Sequence, residues 1–343
     1  MTIRLIQVGM GGWGRNWATH VLQPSEDVEL VACVDPDAGM LAQAQQLLNL
    51  PPERYFPTLE AALSAVEAEA VLITASLPAH VPIALEALCA EKHVLIEKPF
   101  APTLAEARQV VETAAQQRRM LMVSQNYRFF PAVQAVRALV RERNLGEIGA
   151  VRIDFRYYKN SDQPADQRYA QVQQPLLMDM AIHHFDLMRV VLGQEPTRIT
   201  CQSWNPPWSK YVDSASAAAT ITFDGGTVLS YRGSWVSPGT RTSWSGEWHM
   251  ECSGGEIVWA SRDATAPDYV TLRPLGKRAQ HLKLPTLAYT DRSGSLHAFV
   301  QAIQAGQEPE SSGRDNLPSL ALMFAAVESA TSHVPVSLHG MKY

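Results

Sequence analysis

Ile3-Arg-Leu-Ile-Gln-Val8-Gly9-Met-Gly11-Gly12-Trp13-Gly14-Arg15 decides the fold. A short apolar run passes directly into G-x-G-x-x-G and then into a helix-forming stretch from Arg15. In that context the first glycine makes the turn, the second lets a pyrophosphate approach the backbone, and the third lets helix and strand pack closely. The phosphates would sit on the helix N-terminus. A second apolar run, Val28-Glu-Leu-Val-Ala-Cys-Val34, ends at Asp35, about 20 residues on, where a carboxylate can take the hydroxyl pair of a ribose. A tight turn alone would explain the glycines but not Asp35. Pro36 and Asp37 follow, with no Arg or Lys beside them, so a 2′-phosphate would be repelled. NAD is expected as the cofactor, with NADP possible.

Outward from this stretch, helices and strands alternate. Residues 40–50 and 59–66 read as helices, 70–75 as a buried strand, 81–90 as a helix and 94–96 as a strand. A helix over 104–118 and a strand over 120–123 follow. Alternation of this kind gives a parallel, doubly wound α/β sheet that binds ligands at the carboxyl ends of its strands. Thr74, Ser76, Glu97 and Lys98 fall at such ends. Lys98, held by the ring of Pro99, is placed to reach a cofactor ribose and a substrate oxygen; the bland alternative is an ordinary loop lysine.

After about residue 125 the pattern changes. Residues 151–157 alternate with period two, as a half-buried strand does. Residues 217–223 and 227–231 flank Asp224-Gly225-Gly226, a hairpin signal. Further strands are expected over 244–252, 256–260 and 269–273, and helices over 294–305 and 317–332. The second domain is therefore α+β with a predominantly antiparallel open sheet, and the domains are placed at 1–124 and 125–343. Six of the eight tryptophans, Trp204, Trp208, Trp235, Trp244, Trp248 and Trp259, lie in the second domain, where packing and interfaces suit them better than sugar stacking.

One segment of that domain carries a contradiction. Pro175-Leu-Leu-Met-Asp179-Met-Ala-Ile-His183-His184-Phe-Asp186-Leu-Met-Arg189-Val-Val-Leu-Gly193 reads as a helix, with Pro175 in its first turn and Gly193 as its left-handed cap. Its apolar residues point all round the axis, so it should be buried. Buried charges are tolerated only when paired, hydrogen-bonded or used. Positions three and four apart share a face, so Asp179, His183 and Asp186 form one stripe, while His184 points elsewhere. A carboxylate one turn before a histidine can fix its tautomer and so build a general acid/base. The bland alternative is a polar seam between packed helices.

Composition sets limits. The chain has 343 residues, 46% hydrophobic and 18% charged, which suits two domains with ample cores. A net charge of -5 without a basic stripe argues against nucleic acid. No apolar run is long enough to span a bilayer and no signal peptide precedes the first strand, so a cytoplasmic protein without membrane contact is expected. Cys33, Cys89, Cys201 and Cys252 are scattered and expected to be buried packing residues, with no metal site.

Taken in order, Gly9-x-Gly11-x-x-Gly14, His93-Val-Leu-Ile-Glu97-Lys98-Pro99, Asn126-Tyr-Arg128-Phe-Phe-Pro131 and Asp179-x-x-x-His183-x-x-Asp186 resemble the Gfo/Idh/MocA oxidoreductases over essentially the whole chain. The resemblance implies a Rossmann domain followed by a sheet domain for substrate binding and oligomerisation. It also implies NAD(P)-linked chemistry on the secondary alcohols of sugars, cyclitols and related polyols, as in sugar and inositol dehydrogenases. Lys98, Asp179 and His183 match the usual catalytic set. Cofactor contacts would come from Gly9, Gly11, Gly12, Trp13, Gly14, Asp35, Thr74, Ser76, His80, Glu97, Lys98, Asn126 and Arg128. Substrate contacts would come from Lys98, Arg128, Asp179, His183 and His184. A homodimer or homotetramer through the C-terminal sheet is the expected assembly. The chain departs from common family usage at Gln173-Gln174-Pro175 and Ala181, where relatives often carry glycines, and at Ala75-Ser76 in place of Thr-Pro.

The mechanism so implied has His183 taking the hydroxyl proton, Asp179 orienting it, and Lys98 holding the same oxygen. Three alternatives share these residues: a glycosidase that uses bound NAD for transient oxidation, a non-catalytic sugar or nucleotide sensor, and a scaffold. A sensor needs neither Lys98 nor His183, and a scaffold does not need the charged stripe. Two loops, 162–169 and 204–208, are candidates to overlie the pocket.

Overall fold

The computed structural model describes residues 2–162, 169–263 and 266–340. The chain groups into two compact units, Met1–Asn126 with Tyr289–Leu317, and Tyr127–Ala288 with Pro318–Tyr343. The sequence placed a single boundary at 124/125, whereas residues 289–317 return to the first unit. Contacts within that unit hold them there: His297 Nδ1 lies 2.7 Å from Asp27 Oδ2, and Ser311 Oγ donates to the Val123 carbonyl at 2.6 Å.

In the first unit, β1 (Ile3–Val8), β2 (Val28–Val34), β3 (Tyr55–Phe56), β4 (Ala70–Ile73), β5 (His93–Ile96) and β6 (Leu121–Val123) form one sheet in the order β3-β2-β1-β4-β5-β6. Every pair in it is parallel. β4 is buried at all four positions, as a strand covered on both faces requires. Helices α1 (Gly12–Trp17), α2 (Ala38–Leu47), α3 (Leu59–Ala65), α4 (Leu77–Cys89) and α5 (Leu104–Gln117) make the crossovers. Their starts are written in the sequence: Asp37, Thr58 and Thr103 each accept a backbone N–H of the first turn. α4 begins earlier than the expected 81, because Pro78 fits a first turn, where no N–H partner is needed. The order reverses between β1 and β4, which sets a ligand crevice at their carboxyl ends.

The second unit holds a nine-stranded sheet built from β7 (Ile148–Arg156), β8 (Pro196–Trp204), β9 (Ser216–Phe223), β10 (Val228–Ser234), β11 (Glu247–Cys252), β12 (Gly255–Ala260), β13 (Tyr269–Pro274), β14 (Gln280–His281) and β15 (Val336–Ser337). Its order is β14-β13-β12-β11-β7-β10-β9-β8-β15. All neighbours are antiparallel except β7 and β10. The hairpin at Asp224-Gly225-Gly226 joins β9 to β10, with Thr222 opposite Val228 and Gly226 at φ 87°. β8 and the helix α6 (Pro131–Arg141) are among the elements that escaped the sequence reading, with the two-residue strands β3, β14 and β15. β8 alternates buried and exposed residues from Arg198 to Gln202. α6 starts on a proline and buries Ala132, Val133 and Val136 at helical spacing.

Trp235, Trp248 and Trp259 are core residues, and the last two stack at 4.6 Å between ring centres. Trp204 and Trp208 are exposed. The expectation that all four cysteines are buried is corrected at Cys89, which is exposed at the last turn of α4, and at Cys252, which is only partly buried at the end of β11. Of the loop 162–169, residues 163–168 lie outside the described residues. Among the described residues no helix is long and apolar enough to cross a membrane.

Candidate active site

The glycine turn tests whether a dinucleotide fits. A Cβ on Gly9 would stand 2.4 Å from the Ala75 nitrogen, and one on Gly14 would stand 1.8 Å from the Gly9 carbonyl oxygen. Those two glycines are demanded by protein packing. At Gly11 and Gly12 a Cβ would meet nothing within 4 Å. Their bareness leaves open space beside the backbone at the start of α1, which is what a pyrophosphate needs. Asp35, buried at the end of β2, accepts the Met10 N–H at 2.7 Å through Oδ2 and the Asp37 N–H at 2.9 Å through Oδ1. Its carboxylate is thereby fixed at the edge of the same turn. The residues present fit a dinucleotide.

Two buried side chains brace this turn. Gln7 Nε2 donates to the Gly14 carbonyl at 2.7 Å and to Thr74 Oγ1 at 3.0 Å, and Thr74 Oγ1 donates to the Gly9 carbonyl at 2.7 Å. Thr74 was expected at the cofactor; its hydroxyl ties β4 to the glycine turn. Ser76 is exposed and precedes α4 without a side-chain capping bond. His80 is buried, with Nδ1 2.9 Å from the Pro99 carbonyl and Nε2 3.0 Å from the Ala75 carbonyl. Burial pushes its pKa down, so the neutral ring donates to one carbonyl at a time.

Lys98 follows β5 through a cis Lys98–Pro99 peptide, half-buried, with its N–H 3.3 Å from Glu97 Oε2. Glu97 is buried and accepts the Trp17 indole N–H at 2.7 Å through Oε1. Burial pushes its carboxyl up, opposed by Lys98, the indoles of Trp17 and Trp13, and Arg292. Arg292 covers the Trp13 ring at 4.4 Å and donates to Asn16 Oδ1 at 2.7 Å. The Asn126 amide donates to Asp291 Oδ1. Gln7, Trp17, Asp291 and Arg292 were not anticipated. Arg292 is far from Asn16 in the chain, and no local pattern signals that meeting.

In the second unit, the segment 175–193 begins with a π-helical turn, Leu176–Met180, and continues as α7 (Ala181–Leu192), capped by Gly193 at φ 62°. Gln174 just before it adopts φ 41°, a conformation that favours glycine. Asp213 holds it there, accepting the Gln174 N–H at 3.1 Å.

The polar residues of this apolar helix divide by what they touch. Asp186 receives Arg128 Nε at 2.7 Å and Nη2 at 2.6 Å, and Ser319 Oγ at 2.8 Å. Arg189 pairs with both oxygens of Glu195 at 2.6 Å and donates to Ser319 at 2.8 Å. His184, fully buried, bridges the Tyr231 hydroxyl at 3.0 Å and the Trp244 carbonyl at 2.9 Å, and burial lowers its pKa to about 4. These three, with Arg128, hold the helix in its core. The guanidinium of Arg128 and the ring of His184 are thus engaged within the protein, although both were expected at a ligand.

Asp179 and His183 are held differently. Tyr169 donates its hydroxyl to Asp179 Oδ2 at 2.5 Å, and burial with the Asp179 charge pushes the Tyr169 pKa up, keeping it a donor. The Tyr127 ring lies on His183, with ring centres 4.0 Å apart and planes within 3°. Arg262 in turn donates to the Tyr127 hydroxyl at 2.6 Å and covers its ring at 4.5 Å. One carboxylate and one imidazole on a buried helix are therefore each fixed by a tyrosine. Tyr127 was legible only as part of the Asn126-Tyr-Arg128 motif, and Tyr169 only as the last residue of the loop 162–169.

Comparison with known proteins agrees with this architecture. The chain is 29% identical to a D-apiose dehydrogenase of Paraburkholderia graminis, covering 98% of this chain and 89% of the relative. It is 26% identical to an inositol 2-dehydrogenase of Rhizobium meliloti, covering 98% and 100%. An oxidoreductase from Agrobacterium radiobacter, solved with NAD+, L-tartaric acid and magnesium, superposes with a TM-score of 0.86 at 22% identity over 100% of both chains. Residues 3–125 match the family of oxidoreductases with an NAD-binding Rossmann fold, and residues 133–258 match the GFO/IDH/MocA C-terminal domain. Since two successive models of one family together match most of the chain, it belongs to the GFO/IDH/MocA family and is an NAD-binding oxidoreductase.

Proposed function

We propose that the protein interconverts a secondary alcohol and a ketone on a sugar, cyclitol or related polyol, with NAD as the redox partner. The observation that carries this is the division of labour on the buried helix. His184, Asp186 and Arg189 are engaged in the core, while Asp179 and His183 are each fixed by a tyrosine, as an acid/base pair requires. The relatives named as D-apiose and inositol 2-dehydrogenases support the substrate class.

The open backbone at Gly11 and Gly12 would hold the pyrophosphate, and Asp35 the ribose hydroxyls. When bound, NAD supplies the hydride acceptor or donor. His183 takes the hydroxyl proton at an imidazole nitrogen as the alcohol is oxidised, and returns it in reduction. Asp179 favours the protonated imidazole that forms, and Tyr169 keeps the Asp179 carboxylate from turning away. Lys98 contributes a charge-assisted hydrogen bond to the reacting oxygen, favouring the alkoxide.

The test is formation of reduced nicotinamide by the purified protein with NAD or NADP and a panel of inositols, aldoses, deoxysugars and anhydrosugars. Turnover is expected with at least one. His183→Ala should lower it by about a hundred- to ten-thousandfold while NADH still binds. Near-normal turnover in that variant would sink the assignment.

A further inference from the structure

We propose that Lys159 receives a carboxylate of the substrate, so that the polyol oxidised or reduced is a sugar acid; this rests on the function proposed above. Lys159 follows β7, and its N–H donates to the Trp235 carbonyl at 2.7 Å, which fixes the base of the side chain. Its ammonium stands over three rings: Trp235 at 5.0 Å, Tyr169 at 5.1 Å and Trp244 at 5.9 Å from the ring centres. All three lie within cation–π range.

The rings connect this ammonium to the acid/base residues. Tyr169 is the residue whose hydroxyl holds Asp179, so ammonium and carboxylate are separated by little more than one tyrosine. The Trp235 indole faces the Pro175 carbonyl at 3.5 Å, at the start of the same helix segment. Trp244 is shared with Arg262, which covers it at 5.7 Å and covers the ring stacked on His183. Lys159 also lines a cavity of about 180 Å³ with Asn160, Gln171, Lys210 and Tyr211, so its surroundings have room for a ligand group.

The contrast with other cations of the second unit gives the site its sign. Arg128 pairs with Asp186, Arg189 with Glu195, Lys210 with Asp162 and Arg241 with Asp263. Among the described residues no carboxylate lies in ion-pair range of Lys159. Aromatic faces stabilise a cation without cancelling its charge, and they exclude water from their side of it. In such a setting an incoming anion is attracted more strongly than in bulk water. A single ammonium without a guanidinium fork or several backbone donors matches a monoanionic carboxylate better than a phosphate ester.

The experiment pairs acids with their neutral counterparts: D-glucuronate with D-glucose, D-galacturonate with D-galactose, and D-gluconate with D-glucitol, plus D-glucose 6-phosphate. Binding to the NADH-loaded protein is followed by tryptophan fluorescence, which Trp235 and Trp244 should report, and turnover is measured separately. At least one acid should bind about 10- to 100-fold more tightly than its neutral partner. Lys159→Gln should abolish that preference while leaving the neutral compound unchanged, and Lys159→Arg should restore part of it. Equal binding within every pair, tighter binding of the phosphate ester, or equal loss for acid and neutral compound in Lys159→Gln would each overturn the proposal. Turnover of neutral polyols with no preference for acids would leave the dehydrogenase reading standing and remove this one. Acid-selective binding without turnover would do the reverse.

Discussion

The phenol of Tyr127 lies flat on the imidazole of His183, with ring centres 4.0 Å apart and planes within 3°. Stacking of this kind fixes the plane of the imidazole, and with it the directions in which its nitrogens exchange protons. With His183 as the proposed acid/base, replacing Tyr127 with Ala should lower kcat by on the order of tenfold or more, since a displaced imidazole loses its alignment with the substrate. NADH affinity should not change. Tyr127→Phe keeps the stacked ring and should stay close to the parent in kcat. Steady-state kinetics of both variants check this; a Phe variant as impaired as the Ala variant would move the role to the hydroxyl and Arg262.

Arg128 is held by a buried carboxylate, so its loss should be read first as stability. Arg128→Met leaves Asp186 with Ser319 but without its bidentate partner. Breaking a buried pair from one side costs roughly 3–5 kcal/mol. Urea unfolding of the parent and variant measures it, and an unchanged midpoint would contradict the pairing.

The glycines of the first turn should separate into two kinds. Gly14→Ala drives a Cβ into the Gly9 carbonyl oxygen at 1.8 Å and should destabilise the first unit outright. Gly11→Ala meets no atom within 4 Å and should fold normally, yet bind NADH at least about tenfold more weakly, because the methyl occupies the space left for pyrophosphate. Melting curves with and without NADH distinguish them: Gly11→Ala should keep the melting temperature of the parent and lose the shift on adding NADH.

Asp35, proposed to hold the ribose hydroxyls, accepts the Met10 N–H. Asp35→Asn keeps an acceptor for that N–H and removes the charge. NAD should bind about tenfold more weakly, and the preference for NAD over NADP should narrow. An unchanged ratio of kcat/KM for the two nucleotides would count against the ribose contact.

His184 makes stability depend on pH. Burial lowers its pKa from 6.5 to about 4, so between those values the unfolded chain binds a proton that the folded protein does not. Its contribution is therefore present above pH 6.5 and is lost as the pH falls toward 4, with a full size of ~3 kcal/mol. His93, lowered to about 4 by burial and by Arg119, acts in the same direction. Thermal unfolding from pH 7 to pH 4.5 should show the decline, and His184→Asn should show a shallower one. A parent protein whose melting temperature is flat over this range would refute the burial of a neutral His184.

The sequence by itself determined whatever is local. The parallel sheet follows from apolar runs alternating with helices, the glycine turn from G-x-G-x-x-G spacing between a strand and a helix, and the hairpin at Asp224-Gly225-Gly226 from turn chemistry. Even the helix 175–193 was legible, down to its cap at Gly193. Its spacing put Asp179, His183 and Asp186 on one stripe, but spacing cannot say which polar residue is consumed by the core. Only the tertiary structure decided that, by bringing Arg128 and Ser319 to Asp186, Tyr231 to His184, Tyr127 to His183 and Tyr169 to Asp179. It likewise returned residues 289–317 to the first unit and set Arg292 over Trp13. The physical reason is range. Backbone sterics and hydrophobic period act over a few residues and leave a pattern in the chain, whereas pairing of a buried charge depends on whichever distant side chain the completed packing delivers to it.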